Sequence, residues 1–153
     1  MPDILLPVPH QAQADEGECL AACAAMVLHY IGFSISYEDL LRRLRVQWYG
    51  AAASNLLSLE SLGIEVLFQH GTLAELSKYL AEDSPVIVFV KTGDLPYWDQ
   101  NLPHAMVVVG LGEVHVYVND PAFTSAPIPI PRGDFELAWL ERDEFYAVLK
   151  RRG

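Results

Sequence analysis

Apolar positions recur at helical spacing through the first half of the chain and at strand spacing through the second. Between residues 19 and 30, Ala22, Cys23, Met26, Val27 and Tyr30 share one face of a helix, and Gly32 stands where a left-handed residue would end it. Ser36 ahead of Tyr37-Glu38-Asp39 and a Leu40, Leu41, Leu44 stripe predicts a second helix, with an N-cap and a first turn whose acidic residues suit the helix dipole. A third helix is predicted over about residues 52–62, closed by Gly63, and a fourth over 73–80, capped by Thr72, with a short strand at 64–68 between them.

After residue 84 the pattern changes. Residues 85–90 form a β-branched apolar run suited to a buried strand. Residues 105–110 and 114–118, separated by Leu111-Gly112-Glu113, predict a hairpin, and 145–149 a closing strand. Pro127, Pro129 and Pro131 cannot donate to a sheet, which confines 124–131 to an extended edge. Helices first and antiparallel strands second predict an α+β fold, its two halves packed face to face with a cleft between them. At 153 residues, with no internal repeat or composition break, one domain over 1–153 is expected.

Composition narrows the partners. Half the residues are hydrophobic (52%), which fits a chain that folds by burial. Ten Lys and Arg against 20 Asp and Glu give a net charge of −10, which opposes binding to nucleic acid or to an anionic membrane. No stretch reaches the roughly 18–20 apolar residues of a membrane span. The start, Met-Pro-Asp-Ile-Leu-Leu-Pro, lacks a basic n-region and a small-residue cleavage site, so a cytoplasmic location with reduced thiols is expected. No metal site is expected, because His10, His29, His70 and His115 have no ligand spacing with one another or with the cysteines.

Two cysteines four residues apart invite a comparison. Cys19 sits in the first turn of the first helix, where unpaired amides and the positive dipole end favour a thiolate. Cys23 lies one turn deeper on the apolar stripe and is expected in the core. A lone cysteine is more often a buried hydrophobe, and it is the position of Cys19, with Gln13 upstream, that reverses the preference. A cysteine nucleophile needs an imidazole, and the imidazole an orienting partner. With a three-residue hairpin loop, His104 would lie directly opposite Asp120, Met106 opposite Val118, Val108 opposite Val116 and Gly110 opposite Val114, so that chemistry and apolar patterning agree. A tight two-residue turn would need a compensating bulge to keep Asp120 on the face of His104. Gln13, or less readily Gln11, could aim a side-chain amide at an oxyanion beside the Cys19 N–H. Tyr97 and Trp98, in a loop rich in turn formers ahead of His104, are equally well read as a substrate rim or as packing rings. Trp48 and Trp139 are expected in the core or on the cleft wall.

These residues together resemble the C39 family of papain-like cysteine peptidases. The resemblance rests on Gln13, Glu18-Cys19, the Ala22-Cys23-Ala-Ala-Met26-Val27 run with Tyr30 and Gly32, His104-Ala-Met-Val-Val-Val-Gly110, and Val118-Asn119-Asp120-Pro121, and it extends to the aromatic segment Phe135–Trp139. It implies a papain-like fold, with Cys19 as nucleophile, His104 as general base and acid, Asp120 as orienter and Gln13 in the oxyanion hole, and no cofactor. Bacterial members often clip leader peptides after a Gly-Gly pair as part of an exporter. No transporter part is present in this chain, so that substrate is not carried over. The family commonly has Asp-Cys-Gly where this chain has Glu18-Cys19-Leu20. Leu20 narrows the site, and Asp15, Glu16 and Glu18 oppose thiol ionisation.

The expected function is therefore hydrolysis of a peptide or related amide in a peptide or protein substrate. Two alternatives share the same cleft: a binding module in which Leu20 and the acidic flank have abolished turnover, and a transferase that passes the acyl group to an amine. Selective, pH-dependent alkylation of Cys19 separates enzyme from binding module, and product analysis with an added amine separates hydrolase from transferase.

Overall fold

A computed structural model describes residues 2–153. Seven strands form an antiparallel sheet: β1 (Pro2–Leu5), β2 (Ile64–His70), β3 (Val86–Lys91), β4 (Pro103–Gly112), β5 (His115–Asn119), β6 (Ile128–Pro131) and β7 (Phe145–Arg151). Their order across the sheet is β2-β7-β3-β4-β5-β6, and β1 pairs with Gly110–Gly112 of β4, beyond the point where β3 stops at Val108. Four α-helices, α1 (Cys19–Tyr30), α2 (Tyr37–Arg43), α3 (Leu73–Ala81) and α4 (Arg132–Leu140), and a 3-10 helix (Ala53–Leu62) cover it.

Local chemistry sets the element ends. Ser36 Oγ accepts from the Asp39 N–H at 3.1 Å and Thr72 Oγ1 from the Glu75 N–H at 3.2 Å, which caps α2 and α3 as their sequences predict. The third helix runs as a 3-10 helix over Ala53–Leu62, and Gly63 ends it at φ 87°.

Helices cover both faces of the sheet, where the sequence predicted one helical half against one sheet half. On one face α1, α2 and the 3-10 helix pack Leu20, Cys23, Val27, Leu40 and Leu59 against Ile87, Phe89, Val107 and Val109. On the other, α3 and α4 pack Leu76, Leu80, Phe135 and Trp139 against Val88, Val90, Met106, Val108 and Tyr146. Central β3 is therefore apolar at successive positions rather than alternating, as a strand covered on both faces must be. Trp139 is fully buried, whereas Trp48 is 87% exposed, contrary to expectation. Trp48 lies in the Gln47–Gly50 turn, where its ring meets that of Tyr49 edge-on.

The hairpin corrects the predicted register. Its turn is the two residues Glu113-Val114, and next to the turn Leu111 faces Val116 and Gly110 faces Tyr117. Carried on unbroken, that pairing would put Asp120 on the face opposite His104. A bulge between Val108 and Gly110 absorbs one residue, so that Val108 faces Val118 and Val107 faces Asn119. Asp120 returns to the face of Met106 and His104, one pair out of step with the prediction, and meets the imidazole diagonally.

Gly110 also admits β1. A Cβ at Gly110 would sit 2.6 Å from the Ile4 carbonyl oxygen and 2.8 Å from Leu5 Cδ1. Gly110→Val should therefore force β1 off β4 and lower stability by about 1–3 kcal/mol, measured by denaturant unfolding; unchanged stability would show that β1 adds nothing to the sheet.

Candidate active site

Cys19 is the first residue of α1, carried there by a short 3-10 turn over Glu16–Glu18. Gly17 makes this entry possible, because a Cβ there would lie 2.5 Å from the Gln47 carbonyl oxygen and 2.7 Å from that of Trp48. The Gln47–Gly50 turn can thus rest directly on the helix start, which brings Tyr49 and Gly50 to the edge of the pocket holding Cys19. That pocket, about 130 Å³, is also lined by Leu20, Phe89, His104, Ala105 and Arg142.

Behind His104 lies a saturated carboxylate. Asp120 is fully buried, and its Oδ1 accepts from His104 Nε2 at 2.7 Å and from the Ala122 N–H at 3.0 Å. Its Oδ2 accepts from the Tyr97 hydroxyl at 2.7 Å and from Trp98 Nε1 at 3.0 Å. Burial, the largest single influence, would raise the Asp120 pKa, but the His104 bond, the imidazolium charge and the Ala122 and Trp98 donors together outweigh it, and the net direction is down.

The same bond governs the imidazole. His104 is 5% exposed, and burial opposes its protonation, yet the Asp120 hydrogen bond, with contributions from Cys19, raises its pKa from 6.5 to about 9. With Nε2 committed to Asp120, Nδ1 is the nitrogen left for the thiol. For Cys19, burial acts to raise the pKa, but the hydrogen bond and charge of His104, then the Ala105 and Leu20 N–H donors, bring it below 9.0. Cys23, fully buried, is pushed well above that value by desolvation and then by the charges of Cys19 and Asp120. The two thiols thus part as expected, one facing the pocket and the other in the core.

Of the two readings of the loop carrying Tyr97 and Trp98, substrate rim or packing rings, its position fits the packing one. Tyr97 and Trp98 stand on the far side of Asp120 rather than on the pocket wall, because a buried phenol and indole need acceptors and the carboxylate supplies both. The Tyr97 hydroxyl is driven far above its usual range by burial and the adjacent carboxylate. Trp98 also meets the His104 ring edge-on, with centroids 4.9 Å apart. Phe123 packs against both rings, and its carbonyl is bonded to His10 Nε2 at 2.7 Å. Residues at the actual mouth, Tyr49 and Arg142, gave no sequence signal beyond being an aromatic and a cation.

Gln13 lies beside Asp120 through its backbone, the N–H donating to the Pro121 carbonyl at 2.7 Å. Its side-chain Nε2 donates to the Glu16 carbonyl at 3.2 Å, which leaves one amide hydrogen, while Oε1 is buried without a partner. Gln11, the substitute, lines a separate groove along α1. Glu18 accepts from the Tyr37 hydroxyl at 2.9 Å. The structure therefore brings Cys19 and His104 to one pocket, with Asp120 hydrogen-bonded to the imidazole behind it.

The sequence profile described as the Peptidase_C39 like family matches residues 5–145. In three dimensions the chain is similar to a C39-like protein from Bacillus anthracis, with a TM-score of 0.82 and 19% identity over 98% of each chain. It is also similar to a double glycine motif protease from an AMS/PCAT transporter, solved in complex with the leader peptide; the TM-score is 0.76 at 24% identity, over 97% of this chain and 95% of that one. The peptidase domain of Streptococcus ComA, a bifunctional ABC transporter of a quorum-sensing pathway, gives 0.75 at 21%, over 93% and 97%. Likenesses at these identities establish the fold. No curated protein matches the sequence.

The geometry fixes a pH signature. Because the folded His104 pKa lies above its ordinary value, the stability this provides is fully present below about pH 6.5 and is lost as pH rises through about 9. NMR titration should place the His104 imidazole near 9 in the parent protein and return it toward 6.5 in Asp120→Asn. An imidazole that titrates alike in both would contradict this account of the carboxylate.

Proposed function

The chain belongs to the Peptidase_C39 like family and has its papain-like α+β fold, and from that premise we propose that it is a cysteine peptidase cleaving a peptide or related amide through Cys19, His104 and Asp120. One observation carries the reading: a thiol with a lowered pKa faces a pocket next to an imidazole whose other nitrogen is held by a buried carboxylate.

In this reading the Cys19 thiolate attacks the carbonyl carbon, a C–S bond forms, and the carbonyl π pair moves to oxygen. The Cys19 N–H and the remaining Gln13 amide hydrogen take the oxyanion. Collapse breaks the C–N bond, and the His104 imidazolium gives its proton to the leaving amine. Neutral His104 then takes a proton from water, the hydroxide attacks the thioester carbon, and collapse breaks the C–S bond, so that the acid leaves and the thiolate–imidazolium pair is restored. Asp120 keeps the ring in place and favours its charged form throughout. It stays ionised, since three further donors hold it besides the ring.

Two features support turnover over mere binding. Glu18, one source of the negative charge expected beside the thiol, is engaged by Tyr37. Leu20, on α1, is buried in the core between that helix and the sheet, although it also lines the pocket. A pocket of about 130 Å³ suits an extended segment with small residues at the scissile bond. The similar double glycine motif protease is in complex with a leader peptide, which makes Gly-Gly sequences candidate substrates here.

Cleavage of a peptide library, Gly-Gly sequences included, is the test. Cys19→Ala and His104→Ala should each reduce turnover by about 10³-fold or more with the fold retained, and Gln13→Ala by about 10²–10³-fold in kcat. A Cys19→Ala protein that still cleaves, or a parent protein that alkylates normally and cuts nothing, would overturn the assignment.

A further inference from the structure

Arg142 lines the same pocket as Cys19 and His104, and among the described residues it forms no ion pair and no side-chain hydrogen bond. The ion pairs among the described residues are Arg42–Asp39 and His104–Asp120. Apart from exposed Arg152 near the C-terminus, the other arginines find acceptors, among them Arg45 in Asn55, Arg132 in the Gly112 carbonyl and Arg151 in the Gly32 carbonyl. Arg142 donates no side-chain hydrogen bond among the described residues, and its guanidinium lies 5.7 Å from the centroid of the Phe89 ring. It is partly buried, and desolvation lowers its pKa while the Cys19 charge acts the other way. A desolvated cation with five donors and no acceptor is costly unless something else supplies the acceptor.

The turn that carries Arg142 is stiff. Asp143 and Glu144, the two residues after it, both take left-handed φ values, 59° and 56°, which side chains other than glycine rarely adopt. The N–H groups of Arg142 and Glu144 both donate to the Trp139 carbonyl at 3.0 Å, and the Trp139 indole donates back to the Phe145 carbonyl at 2.8 Å. A buried tryptophan thus anchors the turn from below. Lys91 joins Arg142 on the adjoining depression over Phe89. Glu141 and Asp143 border that depression and Glu16 borders the pocket, yet none of them forms an ion pair with Arg142 among the described residues.

We propose that Arg142 is a substrate-binding residue that takes a carboxylate of the peptide lying against Cys19, so that peptides with an acidic group close to the scissile bond are preferred. The carboxylate belongs to an acidic side chain or to a free C-terminus; both present the planar oxygen pair that a guanidinium fork matches. The cation–π contact with Phe89 uses the guanidinium's charge and supplies no N–H acceptor, which leaves its donors for the ligand. The proposal rests on the peptidase reading, but the site itself can be probed without peptide cleavage.

Iodoacetate and iodoacetamide deliver the same alkyl carbon to a thiol, one with a carboxylate and one with a neutral amide. Relative to a small free thiol, Cys19 should favour iodoacetate on the order of 10-fold, the ratio a charge-assisted hydrogen bond provides, although the protein's net charge repels the anion. Arg142→Gln should abolish that ratio, and Arg142→Lys should retain part of it; the iodoacetamide rate in each variant shows that the pocket is folded. Equal slowing of both reagents in Arg142→Gln would mean that the cation only tunes the thiol, and would overturn the proposal, as would an unchanged ratio.

Matched peptides then identify the source, Glu against Gln near the scissile bond and free acid against amide at the C-terminus. The arm whose preference collapses in Arg142→Gln names the carboxylate. Loss of preference in neither arm overturns the substrate role. A reagent ratio that depends on Arg142 while no peptide is cut counts against the peptidase reading and for the carboxylate site.

Discussion

A carboxylate with no access to water cannot stand alone, and the structure around Asp120 follows from that constraint. Four donors converge on its two oxygens, from His104, Tyr97, Trp98 and the Ala122 backbone. With both oxygens engaged, the cost of burying the charge is offset and the carboxylate has little freedom to rotate. The charge is then passed on as a bias: the imidazole in front of it holds its proton to about pH 9, and the thiol in front of the imidazole loses its own more readily.

Nothing in this line is local in sequence. Asp120 reaches the face of His104 only because a bulge in β4 offsets the two-residue turn of the hairpin. Cys19 reaches the ring only because α1 begins against the sheet, and the helix can begin there because Gly17 has no side chain to strike the turn at Gln47 and Trp48. The 93–102 loop that presents Tyr97 and Trp98 is itself held by buried Thr92, whose hydroxyl donates to the Gln100 carbonyl and accepts from the Leu102 N–H. Helix start, bulge and loop serve one geometry, which explains why four donors gather around Asp120.

Helical periodicity with caps was legible residue by residue: α1 covers Cys19–Tyr30, and Ser36 and Thr72 cap as their positions predict. Hydrophobic alternation located the hairpin but could not locate its bulge, because Val107, Val108 and Val109 are interchangeable to a pattern and only the sheet decides which one is extra. The 3-10 geometry of Ala53–Leu62 was hidden for the same reason, since apolar spacing does not report which hydrogen bonds close a helix. For Tyr97 and Trp98 the composition was visible and the direction was not. An aromatic with a polar handle serves a rim or a buried acceptor equally well, and the acceptor lies some 20 residues away. Arg142 was invisible as a pocket residue, because its place depends on a left-handed turn at two acidic residues that no propensity favours.

The account depends on Cys19 being ionised by the imidazole that Asp120 holds in its charged form. Its most direct test is the ultraviolet absorbance of the thiolate followed against pH in the full chain carrying Cys23→Ala, so that one thiol is read. The absorbance should rise at a pH below the 9.0 of an ordinary thiol, and Asp120→Asn should move that rise back toward 9.0. A Cys19 that ionises at or above the ordinary value, and does so unchanged when Asp120 is neutralised, would contradict it.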